Sequence, residues 1–262
     1  STWICPIPPK STGTCQIQVL RSAGLWSVGA TTERSIQNAW VEAITSAKHL
    51  IYIENQFFIG EPQEGSNRVQ NSIVSALLER LVKAALSKEN FRVIVVIPQH
   101  PSGDFVNHES PRIILYYEFL SICRGGSSLI ESFMKRCPGV DPSDFIGFYC
   151  LRNWGVLNDK LVTEQIYVHD KIIIVDDRVA IIGSANINDR SMMGDRDSEI
   201  AIRIEDSLPV DICLGGRRWQ AGALPHMLRM NLMRAHVGDN NPCSDGLVDC
   251  AVHSGGADTY HM

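Results

Sequence analysis

Two periods alternate along this chain. Cys15 to Leu20 alternates polar and apolar positions every second residue, as a half-buried strand does. Ile36, Ala39, Trp40, Ala43, Ile44 and Ala47 then recur at three- and four-residue spacing, which predicts a helix with a core face, capped by Thr31 or Thr32. His49 to Glu54 returns to strand, ended by the polar pair Asn55-Gln56. From about Asn67 to Leu86, Val69, Ile73, Leu77, Leu81 and Ala84 line one helical face. Phe91 to Ile97 is an unbroken apolar run closed by Pro98, the pattern of a buried strand. A polar loop from Gln99 to Glu109 carries His100 and His108, which read as solvated. Pro suits the first position of a helix starting at Ser110-Pro111, and Gly125-Gly126 ends it. Ser128 and Glu131 form a capping box for a second short helix. Phe145 to Cys150 is strand-like, and a polar connection follows it. Tyr167 to Val175 and Val179 to Ile182 read as strand-turn-strand about Asp176-Asp177, and Ser198 to Ile204 as a further strand. Ala221 to His236 is a helix with Arg217, Arg218, Arg229 and Arg234 around it, which read as a solvated face. The class is α/β.

Composition narrows the picture. Apolar runs such as Val93 to Ile97 and Ile172 to Val175 are far too short to span a bilayer. With 262 residues, 44% hydrophobic and 20% charged, the chain suits one sizeable soluble domain or two small ones. The net charge of −5 lacks the basic footprint of a nucleic-acid binder, so no nucleic-acid partner is expected. The opening STWICPIPPKS has neither a charged leader nor an apolar core, so no signal peptide is expected. Eight cysteines, at positions 5, 15, 123, 137, 150, 213, 243 and 250, include no Cys-x-x-Cys pair and no His spacing suited to zinc. They read as reduced thiols of a cytoplasmic protein, with Cys243 and Cys250 the exceptions to watch. Beyond Gly238 the chain is poor in large apolar residues, and a loose tail is expected.

The chemistry is concentrated in YVHDKIIIVDDRVAIIGSANINDRSMMGDRDSEI. His169-x-Lys171, four residues, Asp176, six residues, then Gly183-Ser184-x-Asn186 would recur by chance roughly once in tens of millions of windows. Imidazole can attack phosphorus or move a proton near neutral pH. An ammonium, a hydroxyl and a carboxamide can hold phosphodiester oxygens while charge builds on them. On a strand His169 and Lys171 point to one face. Asp176 has the opposite parity and reads as an anchor that accepts hydrogen bonds at the turn. Gly183 lets backbone approach a ligand closely, presenting Ser184 and Asn186. Glu199, thirty positions after His169, is placed to hydrogen-bond the far imidazole nitrogen and fix its tautomer.

This stretch resembles the second HKD motif of the phospholipase D superfamily, and within it the eukaryotic phosphatidylcholine-hydrolysing enzymes. Ile51-Tyr52-Ile53-Glu54-Asn55-Gln56-Phe57-Phe58-Ile59 resembles that family's block between its two HKD motifs. Gln16, Val19-Leu20-Arg21-Ser22 and Trp26-Ser27 resemble the opening of its second half. Gln220-Ala221-Gly222 and Leu228-Arg229 resemble the block after the second motif, so the likeness runs from about Cys15 to Gly238. It implies one lobe of that fold, a mixed sheet flanked by helices on both faces. Residues 1–14 are then a linker, 15–238 the lobe and 239–262 a tail.

No other His in the chain is followed by Lys two positions on. Family enzymes build one site from two such motifs: one His is phosphorylated while the other protonates the leaving alcohol and then activates water. The resemblance therefore implies a complementary half, or a second copy of this chain, as partner. It assigns His169 as general acid, then base. It assigns Lys171, Ser184 and Asn186 to the phosphoryl oxygens, Glu199 to orienting His169, Asp176 to the motif itself, and Gln56 to the pocket wall. Hydrolysis of phosphatidylcholine to phosphatidic acid and choline is implied, with transfer to primary alcohols, at a membrane surface and without metal or cofactor. The loop 99–109 is shorter than the family's glycine-rich stretch near this place, which bears on head-group choice. Two alternatives remain open: a homodimeric nuclease or phosphatidyltransferase of the superfamily, and a silent fragment that binds phospholipid.

Overall fold

The computed structural model describes residues 13–29, 31–62 and 69–238, where strands and helices alternate as the two periods require. The first strand, β1 (Cys15–Ala23), precedes a single helical turn, α1 (Leu25–Val28), the short β2 (Glu33–Arg34) and α2 (Ser35–Ser46). Next come β3 (Leu50–Asn55), α3 (Ile73–Leu86) and β4 (Arg92–Val96). Two helices, α4 (Glu109–Ile122) and α5 (Leu129–Arg136), lead to β5 (Ile146–Tyr149). A hairpin of β6 (Leu151–Leu157) and β7 (Lys160–Ile166) precedes a second, of β8 (Lys171–Val175) and β9 (Val179–Gly183). The turn α6 (Asp189–Met192), β10 (Glu199–Asp206), a hairpin of β11 (Pro209–Leu214) and β12 (Arg217–Gly222), and α7 (Ala223–Val237) follow.

Eight strands form one mixed sheet in the order β2-β1-β10-β9-β8-β3-β4-β5. The pairs β3/β4 and β4/β5 are parallel, the rest antiparallel. Successive side chains of a strand leave opposite faces, so the central strands feed two cores. Ile51 and Ile53 of β3, Val93 and Val95 of β4 and Ile173 and Val175 of β8 pack beneath α2, α3 and α5 with Trp40, Leu77 and Phe133. Leu50, Tyr52, Ile94, Val96, Ile172 and Ile174 pack on the other side against Leu214, Trp219, Leu228, Leu232 and Met233 of β11, β12 and α7. Both faces are covered, as the α/β reading required.

Several local expectations are corrected. Thr31 and Thr32 do not cap α2: Glu33 and Arg34 are drawn into the sheet against Ala23 and Ser22, so Arg34 stands at the cap and its side chain bonds no helix amide. The helix expected from Asn67 starts at Ile73, because Asp189 captures the amides of Gln70 and Asn71 at 2.8 and 2.9 Å. The capping box of Ser128 and Glu131 is formed. The polar connection before the motif is the β6–β7 hairpin, turning at Asn158 and Asp159 with φ of 51° and 58°. Arg217 and Arg218 lie on β12, not on a helix face. Arg229 is not solvated. It is fully buried and forks onto Asp177 with two bonds of 2.7 Å. Cys15, Cys123, Cys137 and Cys150 are free thiols. Cys5, Cys243, Cys250, the linker before residue 13 and the tail from 239 lie outside the described residues.

Candidate active site

The hairpin β8–β9 turns on Asp176 and Asp177, both left-handed with φ of 52° and 51°. Three residues lie between the paired Val175 and Val179, and Asp tolerates the left-handed conformation of the first two better than most residues. The Asp176 carboxylate accepts the backbone amides of Lys48, His49 and Leu50 at 2.7, 2.7 and 2.8 Å, fixing where β3 begins beside β8. It lies five positions along the chain from Lys171, so it stands roughly 16 Å from that end of the strand. It anchors the frame rather than touching the chemistry.

At the other end, Lys171 opens β8 opposite Asn55 of β3. A pocket of about 450 Å³ lies there, lined by Gln56, His169, Asp170, Lys171, Ile172, Ile182, Gly183, Ser184 and Asn186. The five residues expected to meet a phosphate or donate a proton to its leaving group thus share one cavity. A larger cavity of about 840 Å³ between α2, α3 and α5 holds none of them.

Lys171 is only 8% exposed, and its ammonium donates to Gln56 Oε1 at 3.2 Å and to the His169 carbonyl. Burial lowers its pKa, while the charges of Asp170 and Glu199 oppose that shift. Gln56 is held in turn by donating to the Tyr167 hydroxyl at 3.1 Å. Asn55 Oδ1 accepts the amides of Phe57 and Ile187 at 3.2 and 3.1 Å, tying the Gln56 segment to the segment that carries Asn186. Asn186 Oδ1 is buried without a donor.

Gly183 ends β9 opposite Ala201 of β10. A Cβ there would lie 2.4 Å from the Ile200 carbonyl oxygen, so only glycine lets the two strands approach this closely. The Ser184 amide donates to that carbonyl at 3.0 Å, and the Ile200 amide donates to Ser184 Oγ at 3.1 Å. The Ser184 hydroxyl proton goes to Glu199, whose other oxygen accepts Ser191 Oγ at 2.7 Å.

Glu199 therefore does not orient His169. Its carboxylate is taken by Ser184 and Ser191, and β9 lies between β8 and β10, which sets those two strands about 10 Å apart. His169 is exposed, and among the described residues its ring makes no hydrogen bond. His100 and His108 stay outside the pocket: His100 packs edge-on to Phe105 and meets Gln165, and His108 precedes α4. A cluster the motif did not reveal lies under Lys171, formed by Tyr52, Glu54, Asp170 and His236. Its signal was Glu54, a carboxylate inside a run otherwise bound for the core. Among the described residues no three His, Cys, Asp or Glu side chains gather as metal ligands.

An imidazole and an ammonium beside a hydroxyl and two carboxamides can grip a tetrahedral oxyanion and move a proton at its edge. The family model described as Phospholipase D matches residues 10–165 and 157–243. The chain belongs to the phospholipase D family. It is 46% identical over 235 residues to Phospholipase D1 of Schizosaccharomyces pombe, covering 87% of this chain and 17% of that protein. It is 41% identical over 239 residues to Phospholipase D B of Dictyostelium discoideum, covering 91% and 19%. The chain thus spans under a quarter of these relatives' length. Among solved structures it is similar to Nuc from Salmonella typhimurium, at 16% identity and a TM-score of 0.41, covering 86% of this chain and 95% of that one.

Proposed function

We propose that this phospholipase D family lobe supplies the second-motif half of an active site that cleaves phosphatidylcholine to phosphatidic acid and choline at a membrane surface. One observation carries the reading: a single pocket at the strand ends gathers His169, Lys171, Gln56, Ser184 and Asn186. A histidine of the complementary half attacks phosphorus and takes the phosphatidyl group. His169, as imidazolium, gives its proton to the departing choline oxygen. Neutral His169 then takes a proton from the water that attacks the phosphohistidine, releasing phosphatidic acid. A primary alcohol in place of that water yields the phosphatidyl alcohol. Lys171, Gln56 and Asn186 hold the non-bridging oxygens, and Ser184 joins them by turning its hydroxyl from Glu199 to the phosphate. The complementary half also has to orient His169, whose ring makes no hydrogen bond among the described residues.

The test is choline release from phosphatidylcholine vesicles by this chain alone, by a first-motif half alone, and by both mixed. Turnover only in the mixture supports the reading. Equal turnover by this chain alone would show a second copy serving as the partner. No turnover in any arm, with vesicles still bound, would favour a silent lipid-binding lobe.

A further inference from the structure

The cluster under Lys171 takes no part in the steps above. Glu54 of β3 is fully buried. Its Oε1 accepts the Tyr52 hydroxyl and, from α7, the His236 Nε2–H at 2.8 Å. Its Oε2 is equally buried and receives no N–H or O–H. Glu54 pairs with Ile172 and Asn55 with Lys171, so Asp170, the residue between His169 and Lys171, lies diagonally across from Glu54, with its carboxyl beside the Glu54 carboxylate. Two carboxylates this close cannot both ionise cheaply, and a carboxyl donates a hydrogen bond only when protonated. The split between them is legible. Burial would raise the Glu54 pKa, but the bonds from His236 and Tyr52 outweigh it and hold Glu54 low. Partial burial and the Glu54 charge push Asp170 up.

We propose that Asp170 is a positioning residue that works in its protonated form, donating its O–H to Glu54 Oε2 and so pinning the segment between His169 and Lys171 to the wall made by β3 and α7. Loss of that proton removes the donor and sets a second anion against Glu54. It also places a full negative charge beside Lys171, the ammonium meant for the phosphate. The groups facing Asp170 are Glu54 from β3, His236 from α7 and its chain neighbour Lys171, which opens β8. Tyr52 stands behind Glu54, so Asp170 is the member of the cluster whose ionisation reaches the pocket. The inference rests on the phosphodiester reading for its effect on rate, but not for the shared proton.

Two measurements test it separately. In this chain, carboxyl carbon-13 NMR should show Asp170 titrating above the ordinary aspartate range and falling back towards it in Glu54→Gln. Ordinary titration in the wild type overturns the proposal. In the complete enzyme carrying both motifs, Asp170→Ala should lower kcat/KM at pH 6 by at least tenfold. Asp170→Asn, whose amide donates at every pH, should recover most of that loss and flatten the alkaline limb of the pH profile. An asparagine variant as impaired as the alanine one overturns it, since the ionised carboxylate would then be what the site needs. Elevated titration in an enzyme that cleaves no phospholipid would support the shared proton while refuting the phosphodiester reading.

Discussion

Asp177 shows how residue chemistry holds the motif hairpin in place. Its carboxylate is fully buried, forked by Arg229 and bonded by His226 at 2.7 Å. Burial works against its charge, and the hydrogen bonds from Arg229 and His226 with the Arg229 charge outweigh that, keeping its pKa below the usual carboxylate range. Removing one partner strands the other in a dry site, so Arg229→Ala should cost about 3–5 kcal/mol in urea unfolding. Glu118 on α4 behaves oppositely. Burial raises it from 4.5 to about 7, and the Phe58 amide offsets this only partly. The folded state therefore binds a proton that the unfolded chain has released. That stability is complete below about pH 4.5 and is lost as pH rises through about 7, up to about 3 kcal/mol. Thermal unfolding of Glu118→Gln should lose less stability than wild type between pH 5 and 8; identical pH profiles would exclude the effect.

The legibility of single residues follows from their contacts. The placement of Asp176 at the turn could be read from strand parity alone. Arg229 could not be placed, because a lone arginine on an amphipathic helix looks solvated until its buried carboxylate is known. Glu199 failed for a different reason. Sequence distance cannot say that β9 will lie between β8 and β10, and that strand hands Glu199 to Ser184 and Ser191 instead.

At the scale of elements, periodicity served wherever one face is buried. Helices α2 and α3 and strands β3, β4, β8 and β9 lie close to where apolar spacing puts them. Two hairpins escaped: the strands of β6–β7 are largely exposed on both faces, and in β11–β12 only the short run Val210, Ile212 and Leu214 alternates inward. Their turns were nonetheless written in the chain. Asn158-Asp159 and Gly215-Gly216 all take positive φ, and each pair lies between runs of strand formers. Element geometry also governs the site through Gly183. Alanine there must part β9 from β10 and displace Ser184 with them. Gly183→Ala should therefore destabilise the fold by about 1–3 kcal/mol and lower turnover beyond the effect on stability. Paired denaturation and single-turnover rates would check this, and unchanged values in both would remove the close-approach argument.

For the whole molecule, the covered sheet brings together residues that are far apart in sequence. Gln56 and Asn186 lie on different segments and meet Lys171 in one pocket because β3 pairs with β8 and β8 with β9. The pocket carries one imidazole of its own, His169, and the proposed chemistry requires two in one step. The most direct measurement of that claim is steady-state choline release by the complete two-motif enzyme carrying His169→Asn or Lys171→Ala. The account predicts that kcat falls at least about a hundredfold in each, with vesicle binding retained. Turnover within a few-fold of wild type in either variant would contradict it.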